Sequence, residues 1–214
     1  MATRIIDSVA SREPSIESID LQRVRTELDL GHRLSSVPLH AHVRGFLFKQ
    51  TADEVARRRG GAVVAHRRLS PVRSTWFFRM YSVREYLEDL VAAAAVLEPT
   101  DPAAAVRAVW RNAHRYAPLF NAGRFLGLLR SDVVAAVRWL ENHRGFFADY
   151  GRWRLEPRSD GYFIMHYFDE WIWIDSAHRG GMEGVLEACG VTGTVTVDLD
   201  TPFDGRLHVR WRER

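Results

Sequence analysis

The chain has 214 residues, 46% hydrophobic and 27% charged, the balance of a soluble globular protein with enough chain for one sizeable core. Its formal net charge is only +3, with 27 acidic residues interleaved among 30 basic ones, which speaks against the concentrated basic face of a nucleic-acid binder. No stretch approaches the roughly 18 apolar residues of a transmembrane helix, the start lacks the layout of a secretory leader, and the lone Cys189 has no partner for an internal disulfide; a cytoplasmic protein with no transmembrane segment is therefore expected.

Residues 1–36 read as an N-terminal arm, partly helical, with Ile16, Ile19, Leu28 and Leu30 marking an amphipathic stretch that ends near Gly31. Residues 37–214 read as a single α+β domain. Thr51 and Glu54 have capping-box spacing, which places a helix start there and a stop at Gly60-Gly61. A second box, Ser82 with Glu85, opens a helix whose Val83, Leu87, Leu90, Val91, Ala94 and Leu97 share one face, closed by Pro99. Asp101 caps a third helix with Pro102 at its first position, where the missing N–H costs nothing. A fourth helix is expected over about 121–129, and Ser131-Asp132 caps a fifth carrying Val133, Val134, Val137 and Leu140.

The period then changes from helical to alternating. Residues 152–156 alternate, 157–161 are turn chemistry ending in Asp-Gly, and 162–174 (YFIMHYFDEWIWI) read as one long strand with large apolar groups on both faces. On that reading Trp171 and Trp173 share a face with Tyr167 and Phe163. A helix over 176–189, opened by Gly180-Gly181, leads to the β-branched run at 194–197, and Leu207, Val209 and Trp211 form the apolar side of a last strand. The expected fold class is α+β: a layer of about five helices packed on a four-stranded antiparallel sheet built from two hairpins with a helix between them.

Motifs for chemistry are missing. There is no G-x-S-x-G, no S-x-x-K, no phosphate-cradling glycine loop, and His40-x-His42 finds no further metal donor nearby in sequence. Along 162–174, the pleat sets His166 and Asp169 on opposite faces and does the same to Asp169 and Glu170. No catalytic residue, no metal and no cofactor are expected, so the chain is read as a non-enzyme. The aromatic residues carry the remaining signal, as the lining of a ligand pocket or as a subunit interface. The candidate ligand-binding residues are Trp110, His114, Tyr116, His166, Tyr167, Trp171 and Trp173, with a small apolar ligand and a homodimer or protein partner as the expected company and no nucleic acid. The alternatives are a structural or interaction protein built on the same surface, and an enzyme assembled from His114, His166 and nearby carboxylates.

The segments VRGFLFKQ, FFRMYSVREYLEDLVAAAAVL, YAPLFNAGRFLGLL and GGMEGVLEACGVTGTVTV, with the closing HVRW, resemble a myxobacteria-restricted family of paralogous proteins of about this size. The match runs from Val43 to Trp211. Helices followed by hairpin, helix and hairpin, with Gly181-x-x-Gly184 before the next strand, are also similar to the haem-NO-binding, four-vinyl-reductase-type and trafficking-particle subunit superfamily. That resemblance implies a ligand-sensing or adaptor module in a bacterial signalling or regulatory pathway, holding a small or lipid-like ligand and often dimeric. The haem branch's Y-x-S-x-R motif is missing, since Tyr81-Ser82-Val83-Arg84 has the letters at another spacing, so the resemblance does not imply haem here.

Overall fold

The computed structural model describes residues 20–72, 74–113 and 132–212. The expected helix over 121–129, and the candidates His114 and Tyr116, lie outside them.

Helix α1 (Leu21–Glu27) starts where the Asp20 carboxylate accepts the Arg23 backbone N–H at 2.9 Å, and α2 (Leu30–Ser36) follows directly. Val24, Leu28 and Leu30 enter the core from these two helices. After the short strand β1 (His42–Arg44), helix α3 runs over Phe46–Arg58 and α4 over Ala62–Leu69. Helix α3 begins five residues before Thr51, which corrects the expected start. The Thr51 hydroxyl donates to the Leu47 carbonyl at 3.0 Å, the back-bond of an interior threonine, and Glu54 is fully buried. Glu54 instead accepts from the Arg57 guanidinium at 2.8 and 2.6 Å and from Asn112 Nδ2 at 3.1 Å.

The strand β2 (Met80–Ser82) pairs antiparallel with β1 and hands over to α5 (Val83–Leu97). Here the capping box is real, with the Ser82 side chain accepting from the first turn and Glu85 accepting the Ser82 N–H. Helix α6 (Pro102–Arg111) is capped by Asp101, which accepts from Ala104 at 2.9 Å, and α7 (Val133–Asn142) by Asp132, which accepts from Ala135 at 2.9 Å. Short α8 (Arg144–Phe147) leads into β3 (Arg152–Ser159) and β4 (Tyr162–Phe168). A π-helical turn (Ile174–His178) runs into α9 (Arg179–Ala188), and β5 (Thr192–Leu199) and β6 (Gly205–Arg212) close the chain. The fold is α+β, with nine α-helices among the described residues and the expected four-stranded antiparallel sheet, ordered β3-β4-β6-β5. No described helix is long and apolar enough to cross a membrane.

Phe163, Met165, Tyr167, Val195, Leu207 and Val209 point from the sheet to the helices and are buried. The alternate residues form the opposite face. The expected thirteen-residue strand stops at Phe168, because Asp169 takes a left-handed conformation with φ 53°. Its N–H donates to Asp204 at 3.0 Å and the next N–H, of Glu170, to the Phe203 carbonyl at 2.8 Å, so the β5–β6 turn latches the reversal.

The start of α9 approaches α6 so closely that a Cβ on Gly180 would sit 2.1 Å from the Arg107 carbonyl oxygen. Backbone cannot yield as a side-chain tip does, so Gly180→Ala is expected to destabilise the protein by about 2 kcal/mol. Urea midpoints of the two proteins check this, and an unchanged midpoint would show that the helices part freely.

Candidate functional site

The reversal at Asp169 turns Glu170 inward. Its carboxylate is 1% exposed and sits between sheet and helices. It accepts from Trp153 Nε1 on β3 at 2.8 Å and from the Ile172 backbone N–H at 3.3 Å. His178, at the end of the π-helical turn, brings Nε2 to 3.3 Å from Glu170 Oε1. That contact is poorly aligned for a hydrogen bond. Three rings enclose the His178 imidazole: Tyr167 at 4.6 Å, Trp110 at 4.9 Å and Trp153 at 5.3 Å between centroids.

Burial pushes the Glu170 carboxyl up, but His178, the Trp153 indole and Arg144 outweigh it and hold the group below the ordinary carboxylate value. The Tyr150 and Tyr167 phenols are pushed far up by burial and then by the Glu170 charge, so both stay neutral. The site therefore holds a buried anion with His178, Arg144, the Trp153 indole and aromatic rings about it.

Beside this cluster lies an apolar cavity of about 100 Å³. Helix α3 contributes Gln50, α6 Trp110, α7 Val137 and Leu140, the sheet Trp153, Met165 and Tyr167, and α9 Met182 and Val185. Gln50 is 2% exposed, and its amide nitrogen has no hydrogen-bond partner among the described residues.

Of the seven candidates read from sequence, Trp110 and Tyr167 line this cavity. His166 stands on the opposite face of the sheet, bound through Nε2 to Glu156 at 2.8 Å. Trp171 and Trp173 do not share a face with Tyr167, because the chain has left the strand before them. Trp173 donates its indole N–H to the Leu28 carbonyl at 2.9 Å, and Trp171 packs on Phe203 at 4.6 Å. Buried Arg33 ties the two, donating to the Trp171 carbonyl at 2.9 Å with its guanidinium 5.0 Å from the Trp173 ring. The sequence reading missed Gln50, Tyr150, Trp153, Glu170 and His178. The available signal was a pair of acidic residues in a hydrophobic run, which a continuous strand cannot bury. His42, flagged with His40, bonds Asp149 through its backbone N–H at 2.7 Å and its ring at 2.9 Å. Among the described residues no group of three or more His, Cys, Asp or Glu is placed to hold a metal.

No family model matches the chain, and no curated protein matches it. Solved structures do. An unliganded Fe(II) H-NOX protein from K. algicida matches at TM-score 0.64 and 16% identity, over 80% of this chain and 97% of that one. A single-substitution mutant of the same protein matches at TM-score 0.65 and 15% identity with the same coverage. An H-NOX protein from S. oneidensis in the Fe(II)NO ligation state matches at TM-score 0.61 and 12% identity, over 79% and 99%. The likeness is one of fold, shared with H-NOX domains.

That fold raises the question of haem, which needs an axial His, Cys, Met or Tyr and a space for the macrocycle. The described residues do not fit it. The cavity of about 100 Å³ lies well below the roughly 300–1,000 Å³ of ordinary ligand pockets. Among the described residues the one histidine lining it, His178, is enclosed by three rings and turns Nε2 to Glu170.

Glu170 yields a pH-dependent expectation. Its folded pKa is depressed, so its contribution to stability is complete above the unfolded value near 4.3 and is lost as pH falls through the lower folded value. Glu170→Gln removes one partner of a buried pair and is expected to cost about 3 kcal/mol at neutral pH. Urea unfolding should show that deficit constant from pH 7 to about 5 and shrinking in more acid solution; a deficit independent of pH would mean the carboxylate charge contributes nothing.

Proposed function

We propose that this protein is a non-catalytic ligand-sensing or adaptor module that holds a small, mostly apolar molecule between its helices and its sheet. The observation that carries this reading is the apolar space bordered by the buried Gln50 amide, whose nitrogen meets no partner among the described residues. A buried donor without a partner costs about 1–3 kcal/mol, so a ligand that supplies an acceptor recovers that energy on binding. The ligand class is thus a compact molecule with an apolar body and one carbonyl-type or similar acceptor. A space of about 100 Å³ suits something no larger than benzene, which fills an apolar cavity of about 150 Å³. A long acyl chain does not fit that volume, so the lipid-like ligand expected from sequence is set aside. The H-NOX-like fold agrees with a sensory role in bacterial signalling. The Glu170–His178 pair is read as structural, since its groups are spent on each other and on Trp153.

Cyclopentanone is a suitable probe, with cyclopentane as the partner lacking the acceptor. The ketone is expected to shift the indole N–H resonances of Trp110 and Trp153 and to raise the melting temperature more than the hydrocarbon does. Gln50→Leu should abolish that preference while changing the stability of the free protein by less than about 1 kcal/mol. Indole resonances that do not move up to the solubility limit of the ketone, together with native mass spectra of fresh protein showing the bare chain alone, would refute the reading.

A further inference from the structure

The sheet has a second face, turned away from the helices. Strand pairing sets Arg154, His166 and Arg206 in one row across it, Tyr162 beside Arg210, and Arg152 beside Phe168. The two acidic residues on this face are already engaged: Glu156 with His166 and Arg158, each at 2.8 Å, and Asp198 with Arg206 at 2.9 Å. Arg152, Arg154, Arg210 and Arg212 have no carboxylate partner among the described residues. Three of them lie over rings instead. Arg152 and Arg154 stand 5.5 and 5.9 Å from the Phe168 ring, and Arg210 is 4.5 Å from the Tyr162 ring. The rings themselves form two nearly parallel pairs, His166 with Phe168 at 2° and Tyr162 with His208 at 16°.

We infer that this face binds single-stranded nucleic acid. Guanidinium groups without a carboxylate salt bridge among the described residues provide phosphate contacts, and flat rings on the two central strands of a four-stranded sheet face that no described helix covers provide the stacking platform that sheet modules use for unstacked bases. A duplex groove is too narrow for four strands abreast. A membrane surface would call for protruding apolar side chains, and the exposed large ones (Leu39, Val64, Trp76, Phe78 and Leu199) are not on this face. The inference reverses the expectation drawn from overall charge. The net charge of +3 averages over the whole chain, whereas the pleat gathers arginines at alternate positions, 152 and 154, then 206, 210 and 212, onto one side.

Fluorescence anisotropy of the full chain with labelled single-stranded RNA and DNA of mixed sequence tests this. Binding is expected at low salt, with affinity falling steeply as salt rises. Arg154→Glu combined with Arg210→Glu should weaken it by roughly tenfold or more and flatten the salt dependence. Phe168→Ala should weaken it about fivefold or more without changing the salt slope. Arg68→Glu with Arg138→Glu, the same charge change at exposed helical positions, should leave affinity nearly intact. Circular dichroism melts establish that each variant folds; if the outer-face double variant does not, Arg210→Gln and Phe168→Ala read the same surface. Absence of binding at low salt, an equal loss in the helical control, or sedimentation with phosphatidylserine vesicles in place of oligonucleotide binding would overturn the inference.

Discussion

The architecture between sheet and helices depends on one buried charge, the carboxylate of Glu170. An ion removed from water must be matched by donors and opposite charge, or it neutralises or drags the structure open. Here the matching groups come from three places in the chain: the Trp153 indole on β3, the Ile172 backbone N–H two residues on, and His178 at the mouth of α9. Satisfying Glu170 therefore sets the position of the sheet edge, of the irregular segment after β4 and of the last helix at once. It also explains the π-helical turn at Ile174–His178, where a wider turn sets His178 facing the carboxylate.

The reversal at Asp169 is the counterpart of that burial. An aspartate tolerates the left-handed conformation better than the bulky residues around it, and the β5–β6 turn holds it through Asp204 and Phe203. Once the chain has turned, Trp171 and Trp173 are carried towards α1 and α2, where Arg33 stacks on Trp173 and bonds the carbonyls of Trp171 and Pro202. Arginine suits this post, since its planar fork bonds two carbonyls while its face lies on a ring.

What could be read from sequence divides along the range of the forces involved. Ser82 with Glu85 and Asp101 with Pro102 act within one helical turn, and both helix starts stand where the sequence put them. Thr51 with Glu54 has the same spacing and failed, because a partner 58 residues away, Asn112, together with Arg57, claims the Glu54 carboxylate inside the core. The two hairpins were legible in alternation and turn residues. The end of β4 was not, because nothing in YFIMHYFDEWIWI marks a strand end; the break depends on the burial of Glu170 and on a latch from residues 203 and 204. For the site, rings were the visible signal, and two of those named from it, Trp110 and Tyr167, line the cavity. Gln50 looked like an ordinary polar residue of a helix, and only the packed structure shows its amide facing no partner.

The pleat gives this sheet two different chemistries at no cost to either. On the helix side, burial raises the strength of every polar contact, so the Glu170 carboxylate and the Gln50 amide count for more than their number. On the open side, water screens charge, and an isolated arginine there contributes little. Only several guanidinium groups held together, with rings beneath them, amount to a recognition surface. His166 marks the division. Read from sequence it belonged with Tyr167 in a pocket, but adjacent residues in a strand face opposite ways. His166 thus joins Glu156, Phe168 and the arginines on the outer face, while Tyr167 closes on His178 in the interior.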